Sequence, residues 1–404
     1  MIHFQLPRNS PNLYKYIEYF FSEESITPCP VISNSLSYYL CDIKKKINSR
    51  EQDWDTVKRY TNPYEYIHTT VPGKKKSVAK KKPLSRSYFK MIELIYFFKL
   101  LDKLNNEKEI TTFHLAEGPG GFIEALLDSR NNKNDKYYGM SILDDVNDQN
   151  IPGWKKSKQF LQDNPNVVIE TGIDGTGDIL TLENLQYCKD MYSNKMEIIT
   201  GDGGFDFSVD FNNQEHSIGK LLFAQVIYAV IMQKKGGSFI LKTFDCFMQH
   251  SLDILAILSS FYDKVYITKP QTSRYANSEK YIVCKGFHGQ HADEIYPYLR
   301  SAFEQMITCK KKMFKLLNIP LTLLFTTKVE EYNAIFGQQQ IENIHYTLSL
   351  MDVKNKNEKL NNLIKTNVKK STDWCVKYGV LHNNVNVTSN VFEETVANAI
   401  IENM

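Results

Sequence analysis

With 404 residues, 42% apolar and 24% charged, the chain is long enough to bury a large core and has the composition of a globular protein. A net charge of +3 is too small to argue for nucleic-acid binding by itself. The seven cysteines are scattered without a C-x-x-C pair, which argues against a zinc site or redox pair and for a reducing, intracellular compartment. The start "MIHFQLPRNSPNLYKYIEYFF" has neither a basic leader nor a cleavage site. No segment approaches the roughly 20 apolar residues of a membrane span, so no membrane contact is expected.

Residues 1–83 show no repeating pattern and end in "VPGKKKSVAKKKP", with six lysines between Lys74 and Lys82. Such a run is ordinarily a solvated loop; a loop that meets RNA phosphates is the sharper reading. Residues 84–290 alternate apolar strands with helical patterns. The expected strands are "TTFHLAE", "KYYGMSI", "NVVIETG", "MEIITGDGG", "SFILKTF", "KVYITKP" and "KYIVCKGF". The segment "SIGKLLFAQVIYAVIMQKK" reads as a helix closed by Gly236 and Gly237. This alternation predicts an α/β architecture, an open and mostly parallel sheet of about seven strands covered on both faces. Ligands of such sheets sit beyond the carboxyl ends of the strands.

Residues 291–404 form the third region, where strand signals fade. "YLRSAFEQMITCKKKMFKLL" and "QQQIENIHYTLSLMDVKNKNEKLNNLIKTNVKKSTDWCVKYGV" read as helices, and the tail from Asn383 is expected to be loosely held.

In "FHLAEGPGGFIEALL" an apolar strand runs into Glu117, and Gly118-Pro119-Gly120-Gly121 turns into a helix beginning near Phe122. Glycines let the backbone approach a ligand closely. The residues fit neither G-x-G-x-x-G nor a P-loop, which speaks against a nicotinamide dehydrogenase. A carboxylate beside a phosphate is repulsive, whereas S-adenosylmethionine carries an ammonium and ribose hydroxyls that a carboxylate can accept from. An ordinary strand-to-helix turn with an incidental glutamate satisfies the same residues, so other positions must decide. One is "ETGIDGTGDI" after the third strand, where Asp174 and Asp178 sit among glycines and can reach an adenine or ribose, or simply form a polar turn.

Strand ends deliver three ionisable groups: Asp202 in "ITGDGGF", Lys242 in "FILKTFD" and Glu279 in "SRYANSEKYIVCKGF". Lys90 in "LSRSYFKMIEL" precedes the sheet. A lysine closing a buried strand is costly to bury unpaired. Methyl transfer to a weakly acidic hydroxyl needs such a set: a lysine able to accept the proton, a second cation to favour its neutral form, and carboxylates to orient it. Taken singly, each residue also fits a surface ion pair. No cluster of residues suggests a metal.

Lys90, Asp202, Lys242 and Glu279 resemble the Lys-Asp-Lys-Glu tetrad of FtsJ-type RNA ribose 2′-O-methyltransferases. "SRSYFK", "LAEGPGGF", "GIDGTGDI", "DGGF", "LKTFD", "KPQTSRYANSEKYIVCKGF" and "NPYEYI" are similar to the messenger-RNA cap-1 branch. The resemblance covers residues 59–290 and, more faintly, the helices to Val380. It implies a Rossmann-like S-adenosylmethionine methyltransferase sheet with helical N- and C-terminal additions, acting on the first transcribed nucleotide of capped mRNA. Lys242 would be the general base, with Lys90, Asp202 and Glu279 supporting it. Glu117, Gly118, Pro119, Gly120, Gly121 and Asp174 would hold the methyl donor. Expected partners are capped RNA and the transcription or capping machinery. The expected location is cytoplasmic, with a viral factory or virion as a further expectation, because similar proteins occur in large cytoplasmic DNA viruses. Another RNA position (the second cap nucleotide or ribosomal RNA) and a catalytically silent RNA-binding subunit are the alternatives.

Overall fold

The computed structural model describes residues 1–22, 29–143, 153–204, 214–289, 292–353 and 357–385. Ten strands run through the described residues: β1 (Ile2–Gln5), β2 (Ile17–Phe21), β3 (Thr111–Leu115), β4 (Lys136–Met140), β5 (Val167–Glu170), β6 (Met196–Gly201), β7 (Gln233–Thr243), β8 (Tyr262–Lys269), β9 (Lys280–Phe287) and β10 (Met313–Leu317). The helices before and within the sheet region are α1 (Asn34–Asn48), α2 (Glu51–Thr61), α3 (Ser87–Phe98), α4 (Gly121–Arg130), α5 (Lys158–Asp163), α6 (Leu182–Tyr192), α7 (Gln214–Met232) and α8 (Gln249–Phe261). After them come α9 (Ala292–Thr308), α10 (Leu323–Asp352) and α11 (Asn357–Lys377).

Eight strands form the central sheet in the order β1-β8-β9-β7-β6-β3-β4-β5. Strands β7, β6, β3, β4 and β5 are parallel, while β9 runs antiparallel to β7 and β8. All seven expected strands are present. The eighth, β1, pairs antiparallel with β8 at the edge. The chain leaves β3 toward β4 and β5, then returns to the opposite side of β3 for β6. The topological switch point therefore lies between the carboxyl ends of β3 and β6, where a crevice opens.

Alternation of side chains explains why these runs form strands. Phe113, Leu115, Ile199, Phe239, Leu241 and Cys284 pack into a core with α6 to α9 on one face. Ile198, Ile240, Tyr281 and Val283 pack on the other with α3, α4 and α11. A sheet covered on both faces needs apolar residues at successive positions. Fully burying each Phe, Leu or Ile stabilises by about 1.5–3 kcal/mol. The flanking regions join this frame, since Ile43, Ile47, Trp54 and Val57 of α1 and α2 share a third core with Ile344, Leu350 and Leu360 of α10 and α11.

Two expectations are corrected. The helix in "YLRSAFEQMITCKKKMFKLL" stops at Thr308, and Met313–Leu317 is instead β10, paired with β2. Met313, Leu316 and Leu317 are buried there, so tertiary pairing overrides helix-favouring residues. The helix read as ending at Gly236 and Gly237 stops at Met232. The buried Gln233 amide donates to the Met196 and Glu197 carbonyls and turns the chain straight into β7. No helix among the described residues is long and apolar enough to cross a membrane. The tail beyond residue 385 lies outside the described residues, as does Phe205 of "DGGF".

Candidate active site

Strand register brings the four tetrad residues together. Lys242 lies in β7, where Leu241 is opposite Gly201 of β6 and Lys242 is opposite Tyr281 of β9. Asp202, the residue after β6, therefore falls in line with Lys242 and Tyr281 across the carboxyl edge of the sheet. Lys242 Nζ donates to the Asp202 carbonyl at 2.6 Å and lies 3.3 Å from its Oδ1. Lys90, in the first turn of α3, reaches Glu279 Oε1 at 2.7 Å and Oε2 at 2.8 Å. The Tyr281 hydroxyl joins the pairs: it donates to Asp202 Oδ1 at 3.1 Å and lies 3.5 Å from Lys90 Nζ. Sequence reading missed Tyr281, although its place two residues after Glu279 puts it on the same side of an extended strand.

Burial sets the electrostatics. Desolvation lowers the Lys90 ammonium below its usual pKa, partly opposed by the Glu279 charge and reinforced by Arg86. Burial alone would raise Glu279, but the charges of Lys90 and then Lys242 outweigh it and hold the carboxyl well below the carboxylate range. Lys90 and Glu279 thus form a desolvated ion pair that breaking either partner would leave uncompensated.

The loop between β8 and β9 is held from three sides. Glu93 of α3 accepts from Gln271 N at 2.7 Å, Thr272 N at 2.8 Å and the Thr272 hydroxyl at 2.7 Å. Glu65 of "NPYEYI" accepts two bonds from Arg274, and the Tyr64 hydroxyl accepts from Gln271 Nε2 at 2.8 Å. Lys269, almost fully buried, donates to the Asn277 carbonyl, the Asn277 side chain and the Glu279 carbonyl. Ser273 donates to Glu279 Oε1 at 2.8 Å. "NPYEYI" is thus a clamp on the segment that aims Glu279, a role its spacing in sequence does not disclose.

At the switch point, β3 ends at Leu115 and Ala116 adopts φ 51°, a left-handed conformation unusual for a residue with a side chain. Glu117 turns inward. Its Oε1 accepts from Phe122 N at 2.5 Å and Ile123 N at 3.1 Å, and its Oε2 accepts from the Thr200 hydroxyl at 3.0 Å and lies 3.0 Å from His114 Nδ1. The side chain has no solvent exposure. Glu117, expected among the residues that hold the methyl donor, places both carboxylate oxygens on protein partners here: it caps the first turn of α4 and shapes the Gly118–Gly121 turn. Gly120 carries φ +99°, which favours glycine, and a Cβ on Gly121 would lie 2.2 Å from Ser87 Oγ, so α4 sits directly against the start of α3. Because Glu117 occupies the helix N–H groups, the turn lacks the anion site of a phosphate-binding loop.

Asp174 lies two strands away, past the end of β5. Its Oδ1 accepts from Thr176 N at 2.9 Å, the Thr176 hydroxyl at 2.8 Å and Asn184 Nδ2 at 2.9 Å. The carboxylate is exposed and organises its own loop, which packs on the segment after β4 through Leu143 N and the Thr176 carbonyl.

A cavity of about 430 Å3 opens beside Lys242 and Glu279. Its walls include Trp54 and Asn62 from the N-terminal region and Gln340 and Asn343 from α10. Both flanking regions therefore line the space next to the tetrad, and it has room for a nucleoside.

Comparison with known proteins gives the lineage. The FtsJ-like methyltransferase model matches residues 83–287, about half of the chain. A cap-specific mRNA (nucleoside-2′-O-)-methyltransferase 2 from Mus musculus is 27% identical, covering 82% of this chain and 43% of that protein. A cap-specific mRNA (nucleoside-2′-O-)-methyltransferase 1 from Trypanosoma brucei brucei is 31% identical, covering 45% of this chain and 50% of the relative. The chain spans half or less of the length of these curated relatives. A ribosomal RNA methyltransferase structure from Plasmodium falciparum aligns at 22% identity with a TM-score of 0.36, over 51% of this chain and 99% of that one. The chain belongs to the FtsJ-like methyltransferase family.

Proposed function

We propose that this chain methylates a ribose 2′-hydroxyl of capped messenger RNA, at the first transcribed nucleotide, with S-adenosylmethionine as donor. The observation that carries this reading is the pair of ion pairs, Lys90–Glu279 and Lys242–Asp202, joined by Tyr281 at the carboxyl edge of the sheet. The relatives' names support the capped substrate.

The residues at the switch point fit the donor. The Phe122 and Ile123 N–H groups behind the Gly118–Gly121 turn are taken by Glu117, and a ligand without phosphate suits that fact. The turn, with the Asp174 loop beyond it, would hold the donor, which supplies an electrophilic methyl group and leaves as the thioether. Lys242 accepts the hydroxyl proton as the new oxygen–carbon bond forms and later releases it to water. The carbonyl and carboxylate of Asp202 fix where the Lys242 amine points. Lys90 places a second positive charge beside the reacting hydroxyl, neutralised on its far side by Glu279. Positioning of this kind supplies much of the rate gain in group transfer.

A second reading has its own support: the relative numbered 2 aligns over 82% of the chain, including both flanking regions, against 45% for the relative numbered 1. That favours an adjacent cap nucleotide as the alternative target. A silent RNA-binding subunit has no need for a complete tetrad.

The test uses radiolabelled S-adenosylmethionine and a short RNA with an N7-methylguanosine cap, beside the same RNA uncapped, with nuclease digestion to locate the label. Label on the first ribose of the capped RNA alone bears out the proposal. Label on the second ribose selects the alternative. Label on both RNAs removes the cap requirement, and none, with donor binding confirmed, supports the silent subunit.

A further inference from the structure

The lysine run at 74–82 is anchored on both sides. Val78 N donates to the Tyr66 carbonyl at 2.8 Å and Ala79 N to the Ile67 carbonyl at 3.0 Å, tying the loop to "NPYEYI". On its other side, Lys80 N donates to the Leu381 carbonyl at 2.9 Å, Asn383 N donates to the Val78 carbonyl at 2.7 Å, and Ala79 bridges His382. Val78 and Ala79 are buried, and Ser77 donates to the Ala79 carbonyl. Such anchoring removes most of the entropy that a free lysine loop would lose on ordering.

This frame encloses a pocket of about 350 Å3 whose lining includes Lys75, Lys76, Lys81, Lys82, Arg86 and His68, with no acidic residue among the described ones. Lys81 is already paired, with Glu124 at 2.9 Å and Asp128 at 2.6 Å. Lys75, Lys76 and Lys82 are exposed at the rim. A second observation concerns His68. The Thr69 hydroxyl donates to Glu65 Oε1 at 3.1 Å, so Nδ1, 2.8 Å from that hydroxyl, carries the imidazole proton, and the buried Nε2 is left as an acceptor without a donor. A hydroxyl on the ligand, rather than a phosphate oxygen, gives that acceptor its missing donor.

Arg86 ties the pocket to the chemistry. It precedes Lys90 by one helical turn on the same side of α3, and its guanidinium donates to the Thr272 carbonyl at 3.1 Å in the loop that aims Glu279. The cavity beside Lys242 and Glu279 carries Trp54, whose face suits a base, and Lys44, Lys58 and Arg274 as well; the pocket at the lysine loop has, among the described residues, no aromatic ring other than His68 and suits phosphate.

We propose that the anchored Lys75–Lys82 loop, with Arg86, forms a phosphate-binding subsite for the substrate beside the tetrad. Its assignment to RNA rests on the methylation reading above, and the phosphates belong either to the cap's polyphosphate bridge or to phosphodiesters further along the chain. The dense positive lining of an anchored loop, tied through Arg86 to the segment that aims Glu279, carries the argument.

The test compares the wild type, the variant Lys75→Ala/Lys76→Ala/Lys82→Ala, and a control with equal charge loss, Lys103→Ala/Lys235→Ala/Lys264→Ala. The control residues line a cavity at the opposite end of the sheet. Titration calorimetry with inorganic tripolyphosphate is expected to show binding to the wild type and the control, and none to the pocket variant. In methyl-transfer assays the pocket variant is expected to raise KM for capped RNA about tenfold, with kcat nearly unchanged. It should also flatten the log–log salt dependence by about 2, the share of three lost phosphate contacts on a single strand. A KM change already present with a capped dinucleotide assigns the pocket to the cap bridge; one confined to longer RNA assigns it to downstream phosphodiesters. Equal behaviour of pocket variant and control in both assays overturns the subsite. Lysine-dependent tripolyphosphate binding by a wild type that methylates no RNA keeps the anion site and discards the RNA assignment.

Discussion

Glu65 and Arg274, 209 residues apart in sequence, form a two-point ion pair, with Nη2 2.7 Å from Oε1 and Nε 3.1 Å from Oε2. Glu65 is almost fully buried, and burial alone would raise its pKa, but the hydrogen bonds and charge of Arg274 hold it well below the carboxylate range. The N-terminal region is thereby fastened to the loop that ends in Glu279.

Arg274→Ala leaves a buried carboxylate without its cation, which costs about 3–5 kcal/mol in comparable sites. Chemical unfolding should register a loss of that size and methyl transfer should fall with it, since the Glu279 loop loses one of its holds. Adding Glu65→Gln removes the stranded charge, so the double variant is expected to be more stable than Arg274→Ala alone. Strictly additive losses would show that the two residues do not act as a pair.

Tyr281→Phe removes the hydroxyl that joins Asp202 to Lys90 while preserving the packed ring. A hydrogen bond to a charged group is worth about 1.5–3 kcal/mol, which corresponds to a fall in kcat of roughly ten- to a hundredfold if it aligns the pairs in the transition state. Donor affinity should barely move, and the stability loss should not exceed the same about 1.5–3 kcal/mol. An unchanged kcat would make Tyr281 a packing residue only.

The sheet and tetrad were legible because their signals are local. Runs such as "EIIT", "SFIL" and "YIVC" cannot hide an apolar face; Asp202 and Lys242 close two of them and Glu279 opens the third. Register then does the rest, since Lys242 opposite Tyr281 and next to Asp202 follows from strand pairing. Strand β1 is four residues at an edge and β10 is composed of good helix formers, so each takes its form from its partner. The direction of a side chain is not written in its spacing either. Glu117 stands where a ligand-facing acid is expected, yet the free N–H groups of α4 capture it. The Glu65 clamp spans too much chain for any local pattern to reveal.

Lys242→Ala should lower kcat by at least the 10²–10⁴-fold ordinarily contributed by a positioned base, with donor affinity retained. Lys242→Arg is the sharper variant. A guanidinium keeps the charge near Asp202 but does not lose its proton, so it is expected to be as inactive as the alanine variant. Single-turnover assays alongside donor titration measure both quantities. Substantial turnover in the arginine variant would leave Lys242 an electrostatic role and move the proton elsewhere.

Stability should carry a pH signature from a carboxyl outside the site. Glu215 on α7 accepts from Phe247 N and Met248 N, both at 2.8 Å, and burial pushes its pKa up to about 7. A carboxyl raised on folding stabilises the native state below its unfolded value, and that contribution is lost as pH rises through the folded one. The window here runs from about 4.5 to about 7, and the free energy at stake is on the order of 3 kcal/mol. Glu215→Gln keeps an acceptor oxygen for both amides and cannot ionise. Its melting temperature is therefore expected to match the wild type near about pH 5 and to exceed it near about pH 8. Melting curves that stay parallel across that range would mean that Glu215 does not titrate within it, and that its two backbone bonds hold the carboxylate form despite burial.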